Sequence, residues 1–170
     1  RLCHLECIRP AAGGTTDDYY LLLRDALTGT ELARFATGYG LASACVVDGV
    51  LYAFASRWAE GSWNDVTMFR SADLQRWDVA RVVEQGPGEN LFNTSVCRGP
   101  DGYVMAYETS DPHYPAFTVK FARSSDLCHW EKVPQAVFGT DRYTACPCLR
   151  WSGGCYYMLY LEHRVRRHCY

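Results

Sequence analysis

The sequence lacks the features of several large protein classes. It contains no apolar run near the ~20 residues that a membrane-spanning helix needs. Lys and Arg together number 17 and Asp and Glu 19, so the formal net charge is −2. Proteins that bind nucleic acids or anionic membranes usually carry a basic excess, which is missing here. We therefore expect neither a nucleic acid nor a membrane as a partner.

Short catalytic motifs are absent as well. The sequence has no P-loop, no GxGxxG dinucleotide-binding turn, no HExxH zinc motif and no GxSxG nucleophile elbow. These absences argue against phosphoryl transfer, nicotinamide chemistry and serine hydrolysis. No two cysteines have the CxxC spacing that is usual in structural zinc sites. We therefore predict no cofactor and no metal site.

Cysteine, in contrast, is frequent, with nine residues in the chain. An odd number of cysteines cannot all form disulfides within one chain. We interpret them mainly as free thiols that act as small buried hydrophobic residues. Free thiols slightly favour a reducing compartment such as the cytoplasm.

A repeat organises most of the chain. The motif RSxDLxxW occurs at residues 70–77 and again at 123–130, which is an offset of 53 residues. The same offset relates the pair Asp48-Gly49 to Asp101-Gly102, and Phe54 to Tyr107 and Tyr160. A constant offset across three features indicates repeated structural units.

Each repeat has the pattern of four short strands. The first full unit predicts strands at 43–47, 50–56, 65–71 and 79–84, and the second at 94–98, 103–109, 117–124 and 132–138. Two strands of a preceding unit are predicted at 19–23 and 31–35, and two of a following unit at 145–151 and 156–162. No segment has a helical period.

Four antiparallel strands in about 50 residues are typical of a β-propeller blade. The sequence therefore predicts an all-β fold, a single partial propeller. Its parts are the end of a blade (1–37), two blades (38–85 and 86–138) and the start of another (139–170). Because propellers have about four to eight blades, we expect this chain to be an incomplete one.

The residues that recur in this turn have a structural explanation. Ser and Asp side chains in such a turn bind backbone N–H groups, and the following Trp can pack between blades. We therefore predict structural roles for Asp73, Asp126, Trp77 and Trp130.

The repeats resemble those of a known enzyme group. RSADLQRW (70–77) and RSSDLCHW (123–130) resemble turns of the five-bladed propeller glycosidases, of which glycoside hydrolase family 43, with its arabinanase, levansucrase and invertase relatives, is the nearest. FNTSVCRGPDGYVMAYE (92–108) and YTACPCLRWSGGCYYMLYLEHR (143–164) also look like blades of this group. The resemblance covers about residues 38–164. It implies a five-bladed propeller that binds a carbohydrate on one face and hydrolyses glycosidic bonds.

Sialidases are a weaker match to the same turns. Their turn has the form SxDxGxxW, whereas Leu74 and Leu127 follow the Asp here, the Gly is missing and the Trp comes one residue sooner. We therefore do not expect a sialidase.

The resemblance also directs attention to the starts of the innermost strands, where family 43 enzymes place catalytic carboxylates. The corresponding stretches are 40–43, 92–95 and 143–146, and none of them contains Asp or Glu. The carboxyl groups that glycoside hydrolysis needs therefore lie in blades outside this sequence, come from other strands, or do not exist.

Two glutamates at the ends of apolar strands are the predicted catalytic residues, Glu108 and Glu162. Partial burial at the mouth of a pocket would raise the pKa of Glu108 toward that of a general acid. The alternative for each is an ion pair with a neighbouring Arg. The predicted substrate-binding residues are Arg57, Trp58, Trp63, Asn64, Asp65, Asn93, Asp111, Arg142, Tyr143 and His163.

Three functions remain open at this point. The first is a glycoside hydrolase acting on an oligo- or polysaccharide by carboxylate acid/base chemistry. The second is a non-catalytic propeller that binds carbohydrate, which would explain the missing carboxylates. The third is a protein-interaction scaffold. A polysaccharide substrate would favour export, so the sequence does not fix the location.

Overall fold

The computed structural model describes residues 2–9, 15, 18–163 and 167–169, and from residue 163 onward only the backbone. Fourteen strands run through these residues. The first seven are β1 (Cys3–Ile8), β2 (Tyr20–Asp25), β3 (Glu31–Phe35), β4 (Tyr39–Val47), β5 (Val50–Ala59), β6 (Ser62–Ser71) and β7 (Asp78–Val83). The others are β8 (Leu91–Gly99), β9 (Gly102–Thr109), β10 (Thr118–Ser124), β11 (Glu131–Phe138), β12 (Tyr143–Ser152), β13 (Cys155–His163) and β14 (Arg167–Cys169).

The strands form four antiparallel sheets in chain order. The first sheet is β1-β2-β3, the second β4-β5-β6-β7, the third β8-β9-β10-β11 and the fourth β12-β13-β14. The predicted all-β fold of four-stranded antiparallel blades is confirmed, although the described residues do not close a ring of sheets. No helix able to span a membrane occurs among them.

Neighbouring sheets pack face to face through apolar side chains. Leu21 and Leu23 of the first sheet pack with Ala53 and Ala55 of the second. Tyr52 and Phe54 of the second pack with Met105 and Tyr107 of the third, and Ala106 and Val119 of the third with Leu149 of the fourth. The innermost strands β4, β8 and β12 therefore lie side by side, and Ser43 Oγ of β4 is 2.8 Å from Thr94 Oγ1 of β8.

The repeated turns have the predicted structural roles. Ser71 Oγ accepts a hydrogen bond from the Leu74 N–H at 2.8 Å, and Asp73 Oδ1 accepts two from the N–H groups of residues 75 and 76 at 2.9 and 2.8 Å. Ser124 and Asp126 make the same contacts in the third sheet. These bonds close the turn between the third and fourth strands of each blade.

The tryptophans that follow these turns reach the preceding sheet, as predicted. Trp77 stacks on Phe35 of the first sheet, with ring centroids 3.8 Å apart. Trp130 meets Phe54 of the second sheet edge to face at 5.6 Å. Each Trp therefore joins its blade to the one before.

The 53-residue offset holds for these turns but not for the inner hairpins. Val47 pairs with Val50 around Asp48-Gly49, whereas Gly99 pairs with Gly102 around Pro100-Asp101. The two hairpins are thus related by 52 residues. Matching Asp48-Gly49 with Asp101-Gly102 was wrong, because the connection between the second and third strands is one residue longer in the third sheet.

This one-residue difference also corrects the match of Phe54 with Tyr107. A shift of one residue along a strand moves a side chain to the other face of the sheet. Phe54 faces the third sheet and Tyr107 faces the second, so they meet across one interface. Tyr107 and Tyr160 are equivalent, since Tyr160 also faces the preceding sheet and contacts Phe138 at 4.8 Å.

Two further expectations need correction. The strands β5 and β6 extend to a hairpin tip at residues 60–61, so the residues at 57, 58, 63 and 64, expected in a loop, lie in strands. The eight cysteines with described side chains are free thiols, as predicted, but three are exposed and five half-buried. They are therefore not core residues of the kind expected.

Candidate functional site

Each innermost strand has a β-bulge near its start. The pairing register shifts between Gly40 and Ser43 in β4, between Phe92 and Thr94 in β8, and between Ala145 and Cys148 in β12. Bulges are common next to active sites because they redirect side chains and backbone groups. In β4 and β12 a backbone N–H of the bulge, that of Ala42 or Cys146, donates to a side chain of the preceding sheet.

Glu108 lies where two of these bulges meet. It is the β9 partner of Phe92, and its side chain is only 2 % exposed. Its Oε2 accepts a hydrogen bond of 2.7 Å from Nδ2 of Asn93, in the β8 bulge, and one of 3.0 Å from the backbone N–H of Cys146, in the β12 bulge. The carboxyl group therefore joins the third sheet to the fourth, and the structure brings the predicted residues Glu108 and Asn93 together.

The burial of Glu108 is greater than the partial burial expected. Burial raises the pKa of Glu108 above its ordinary value, although the hydrogen bonds from Asn93 and Cys146 act in the opposite direction. Within the described residues no Arg side chain pairs with Glu108. Its Oε1 accepts no hydrogen bond from any described residue, and the exposed Cys146 side chain lies beside it.

The contact between Glu108 and the bulge of the next sheet has a counterpart elsewhere. In the first sheet, Cys7 Sγ of β1 accepts a hydrogen bond of 3.3 Å from the N–H of Ala42, in the β4 bulge. At the corresponding place in the second sheet, the hydroxyl of Ser56 is fully buried without a partner among the described residues. Cys7 and Glu108 thus each join their sheet to the bulge of the next one, whereas Ser56 does not, and of these three residues Glu108 is the carboxylic acid.

Glu162 is the β13 partner of Thr144, also near the start of β12. Its Oε2 is 3.0 Å from Nε of Arg142. This is the ion pair that the sequence offered as the alternative to catalysis. The structure thus brings Glu162 and Arg142 together.

Three aromatic rings stack beside these carboxyl groups. Phe117 lies between Phe92, with ring centroids 4.9 Å apart, and Tyr143, at 5.4 Å, and the rings are tilted by 21° and 28°. Sequence analysis selected Tyr143 but missed Phe92 and Phe117. Phe92 was placed in an innermost strand and Phe117 at the start of the third strand, and neither position signals that the two rings meet.

A second aromatic group covers the end of the second sheet. Trp58 and Trp63 are cross-strand partners in the hairpin of β5 and β6, with centroids 5.0 Å apart, and Tyr19 contacts both rings, at 5.4 and 5.3 Å. A Cβ atom on Gly40 would lie 2.9 Å from the Trp63 ring, so this ring rests on the start of β4. The exposed Arg57 and the half-buried Trp58 border a shallow depression beside Tyr39.

Two predicted binding residues hold the backbone. Asn64 Nδ2 donates to the carbonyl of Ala59 at 3.2 Å, within the same hairpin. Asp65 accepts hydrogen bonds from Arg81 at 3.1 Å and from the N–H of Gln85 at 2.7 Å. These contacts fix the hairpin and the segment that leaves β7, and they account for both side chains structurally.

Asp111 belongs to a charged cluster that the sequence did not reveal. Lys120 Nζ is 2.6 Å from Asp111 Oδ2 and 2.6 Å from Glu89 Oε1. Burial opposes ionisation of Asp111, but the hydrogen bonds from Lys120 and His113 lower its pKa to about 2. The same balance lowers the pKa of Glu89, which also accepts from Thr109. The cluster ties the segment before β8 to the loop after β9.

The described residues contain no group of three His, Cys, Asp or Glu side chains that could hold a metal ion. The backbone of His163 pairs with Tyr143 in β12, but its side chain lies outside the described residues. The predicted residues thus fall into two groups: Glu108, Asn93, Tyr143, Glu162 and Arg142 in or next to the third and fourth sheets, and Arg57, Trp58 and Trp63 in the second.

Similar folds occur among solved glycosidases. An α-L-arabinanase from Penicillium chrysogenum in complex with arabinobiose has 16% identity and a TM-score of 0.58, over 85% of this chain and 51% of the arabinanase. The RS223 β-xylosidase has 20% identity and a TM-score of 0.54, over 71% and 43%. A Trypanosoma rangeli sialidase in complex with 2,3-difluorosialic acid has 10% identity and a TM-score of 0.50, over 86% and 25%.

These similarities show the fold, which is that of the β-propeller glycosidases. The chain spans only about a quarter to a half of the length of these proteins. The sequence matches no protein-family model, and no curated protein is significantly similar to it.

Proposed function

We propose that this chain forms part of a propeller glycoside hydrolase, in which Glu108 protonates the departing oxygen of a glycosidic bond. The observation that carries the proposal is the position of Glu108, a buried carboxyl group between two inner-strand bulges of a glycosidase fold. The substrate class is an oligo- or polysaccharide. The arabinanase with the similar fold was solved with a disaccharide, arabinobiose, which supports this class.

The surroundings of Glu108 suit a general acid. Burial favours its neutral form, and both observed hydrogen bonds go to Oε2. The proton of the neutral acid is therefore carried by Oε1. Asn93 and the Cys146 N–H hold the carboxyl group in one orientation, which reduces the entropy lost when it meets the glycosidic oxygen.

A second carboxylate must activate water or attack the sugar. We propose Glu162 for this role. It pairs with Thr144 near the start of β12, and the Cys146 N–H of the same strand donates to Glu108. Glu162 Oε2 lies 3.0 Å from Nε of Arg142. Tyr143, Trp58 and Trp63 would contact the sugar rings, because aromatic faces pack well on the apolar faces of sugars, and Arg57 would donate hydrogen bonds to sugar hydroxyls.

The test compares Glu108→Gln with the unaltered full-length protein on a panel of aryl arabinofuranosides, xylosides, galactosides and fucosides. Loss of a general acid lowers kcat about 10²–10⁴-fold. The loss should be large for methoxyphenyl glycosides and small for dinitrophenyl glycosides, whose leaving group needs little protonation. Glu89→Gln is the matched control, because Glu89 is equally buried but contacts Lys120.

Three results would decide the matter. Loss confined to Glu108→Gln and to poor leaving groups supports the assignment. Equal turnover by Glu108→Gln and the unaltered protein removes Glu108 from the mechanism. No turnover on any sugar by folded protein removes the hydrolase.

A carbohydrate-binding propeller without catalysis is the second candidate. It is favoured by the counterpart of the Glu108 contact, since Cys7 binds the next bulge in the same way without any acidic group. In that case Glu108 would only join two blades, and Glu162 would only pair with Arg142. Glycan binding without turnover, and with affinity unchanged in Glu108→Gln, would establish this function.

A further inference from the structure

Glu108 is too deeply buried to meet a substrate as it stands. Its side chain is 2 % exposed, whereas a general acid must come within about 2.6–3.2 Å of the atom that it protonates. The hydrogen bonds to its Oε2 come from the half-buried Asn93 and from the backbone of Cys146. If Glu108 is the acid, a neighbouring group must therefore move before the sugar arrives.

The aromatic stack lies across the strand that carries Glu108. Phe92 in β8 is the direct partner of Glu108 in β9, and opposite residues of an antiparallel pair share one face of the sheet. Phe117 directly precedes β10, in which Val119 is the partner of Glu108. Neighbouring strands lie about 4.8 Å apart, yet the ring centroids of Phe92 and Phe117, which start from the two sides of β9, are only 4.9 Å apart. Both rings therefore lean over β9, next to Glu108.

Phe117 fills a gap between two other rings. Its ring centroid lies 4.9 Å from that of Phe92 and 5.4 Å from that of Tyr143, and it is tilted by only 21° and 28° against them. The carbonyl of Phe117 accepts a hydrogen bond of 2.9 Å from the N–H of Thr144, so its main chain is fixed to β12. The ring can therefore leave the gap only by rotation about its side-chain bonds. Phe92 and Tyr143 then face each other across the space of one ring.

We propose that the Phe117 ring holds the place of a sugar, and that the substrate enters between Phe92 and Tyr143, beside Glu108, when this ring turns away. A five- or six-membered sugar ring has about the dimensions of a phenyl ring, and its apolar face packs on an aromatic face. The proposal rests on the proposed hydrolase function, since the sugar must meet Glu108. Phe92 then binds the sugar, and Phe117 decides which substrates can displace it.

The accessibility of Glu108 is measured first, without any turnover. A water-soluble carbodiimide with glycine ethyl ester labels accessible carboxyl groups, and peptide mass mapping gives the labelled fraction at Glu108. Phe117→Ala should raise this fraction at least 10-fold over the unaltered full-length protein. Phe117→Tyr keeps a ring in the gap and should not raise it. Phe121→Ala is the matched control, because Phe121 is a half-buried phenylalanine of β10 opposite Ala106, away from Glu108.

Cys146 tests a different way in. Its exposed side chain lies 3.6 Å from Nδ2 of Asn93, and Cys146→Ala shortens it while keeping the N–H that binds Glu108. Labelling of Glu108 should not change in this variant. An increase in Cys146→Ala but not in Phe117→Ala would show that the substrate enters past Cys146, and would overturn the proposal. Equal labelling of Glu108 in every variant would overturn it as well.

Steady-state kinetics on an aryl glycoside that the unaltered protein hydrolyses test the place of the sugar. Phe117→Ala should raise kcat/KM at least 3-fold, because the competing ring is gone. Phe92→Ala should raise KM at least 10-fold with less than a 3-fold change in kcat, and Phe92→Tyr should restore the lower KM. An unchanged KM in Phe92→Ala would contradict the proposal. Absence of turnover by the unaltered protein would instead reject the hydrolase and the sugar site with it, while the labelling still shows whether Phe117 covers Glu108.

Discussion

The backbone N–H of Cys146 donates a hydrogen bond of 3.0 Å to Oε2 of Glu108 across the joint between the third and fourth sheets. Cys146 has a φ of 50°, in the left-handed region, as part of the β12 bulge. The bulge aims this N–H at the neighbouring sheet, and the carboxyl group receives it. The same group thus serves the packing of two blades and is the proposed proton donor.

Removing the acceptor should destabilise this joint. Glu108→Ala leaves the Cys146 N–H and the Asn93 amide without an acceptor in a buried place, so we expect the free energy of unfolding to fall by about 2–4 kcal/mol. Glu108→Gln keeps an acceptor oxygen and should cost about 1 kcal/mol or less. Urea unfolding of both variants at pH 5 measures the difference. Equal losses would show that the hydrogen bonds do not join the sheets.

The stability conferred by Glu108 should depend on pH. Burial raises its pKa in the folded protein, so the neutral form is favoured by folding. This contribution is fully present below the ordinary glutamate pKa and is lost as the pH rises through the raised value. The unaltered protein should therefore lose stability relative to Glu108→Gln as the pH rises from 4 to 8. A constant difference would contradict the raised pKa.

The repeat in the sequence predicted the blades because the residues that recur most clearly form hydrogen bonds within a single turn. Ser71 and Asp73 hold a turn through their own backbone neighbours, so the spacing of such a turn cannot change. The hairpins between the first and second strands of a blade have no such side-chain contacts to fix their spacing. Pro100-Asp101 and Asp48-Gly49 both close a two-residue turn, and one extra residue before β10 shifted the apparent match.

The candidate site was predictable only in part. Glu108 was selected from its place at the end of an apolar strand, but its partners Asn93 and Cys146 depend on two bulges. A bulge arises from the packing of neighbouring sheets, and no residue pattern in β12 indicates that the strand contains one. The stack of Phe92 and Phe117 likewise depends on how two sheets meet, which a single sequence does not specify.

Lys120 is one of only two lysines in the chain, and it balances the buried Glu89 and the half-buried Asp111. Lys120→Met leaves Glu89 and Asp111 without their cation. Removing one partner of a buried ion pair costs about 3–5 kcal/mol. Because Lys120 is 20 % exposed, we expect a loss of about 2–3 kcal/mol at pH 7 by urea unfolding. Lys120→Arg should recover little, since a planar guanidinium does not replace a compact ammonium between two oxygens.

Acid should remove the contribution of the Lys120 cluster. The pKa of Asp111 is lowered to about 2 and that of Glu89 is also lowered. Lowered values give stability that is present above the ordinary carboxyl pKa and lost as the pH falls through the folded value. The unaltered protein should therefore lose stability between pH 5 and 2 more steeply than Lys120→Met. Parallel curves in thermal unfolding at several pH values would show that the cluster is not coupled to folding.

Leu127 offers a way to separate backbone strain from side-chain packing in the repeated turn. It is 1 % exposed among Met105, Ala122 and Tyr107, yet its φ is 68°, in the left-handed region. Leu127→Ala should lower the free energy of unfolding by about 2–4 kcal/mol through the lost packing. The equivalent Leu74 has a φ of 61° but is only half-buried, so Leu74→Ala should cost about 1–2 kcal/mol.

Glycine at the same position tests the backbone. In a strand or helix Gly is less stable than Ala by about 0.5–1 kcal/mol, but a left-handed conformation reverses this preference because Gly has no Cβ. Leu127→Gly should therefore be at least as stable as Leu127→Ala, although both lose the same packing. Leu127→Gly and Leu127→Ala are compared by urea unfolding. If Leu127→Gly unfolds at the lower urea concentration, and the slope of unfolding free energy against urea concentration is the same for both, the turn does not impose the left-handed conformation. The order of these two variants thus reports on the geometry that the repeated Ser and Asp side chains enforce.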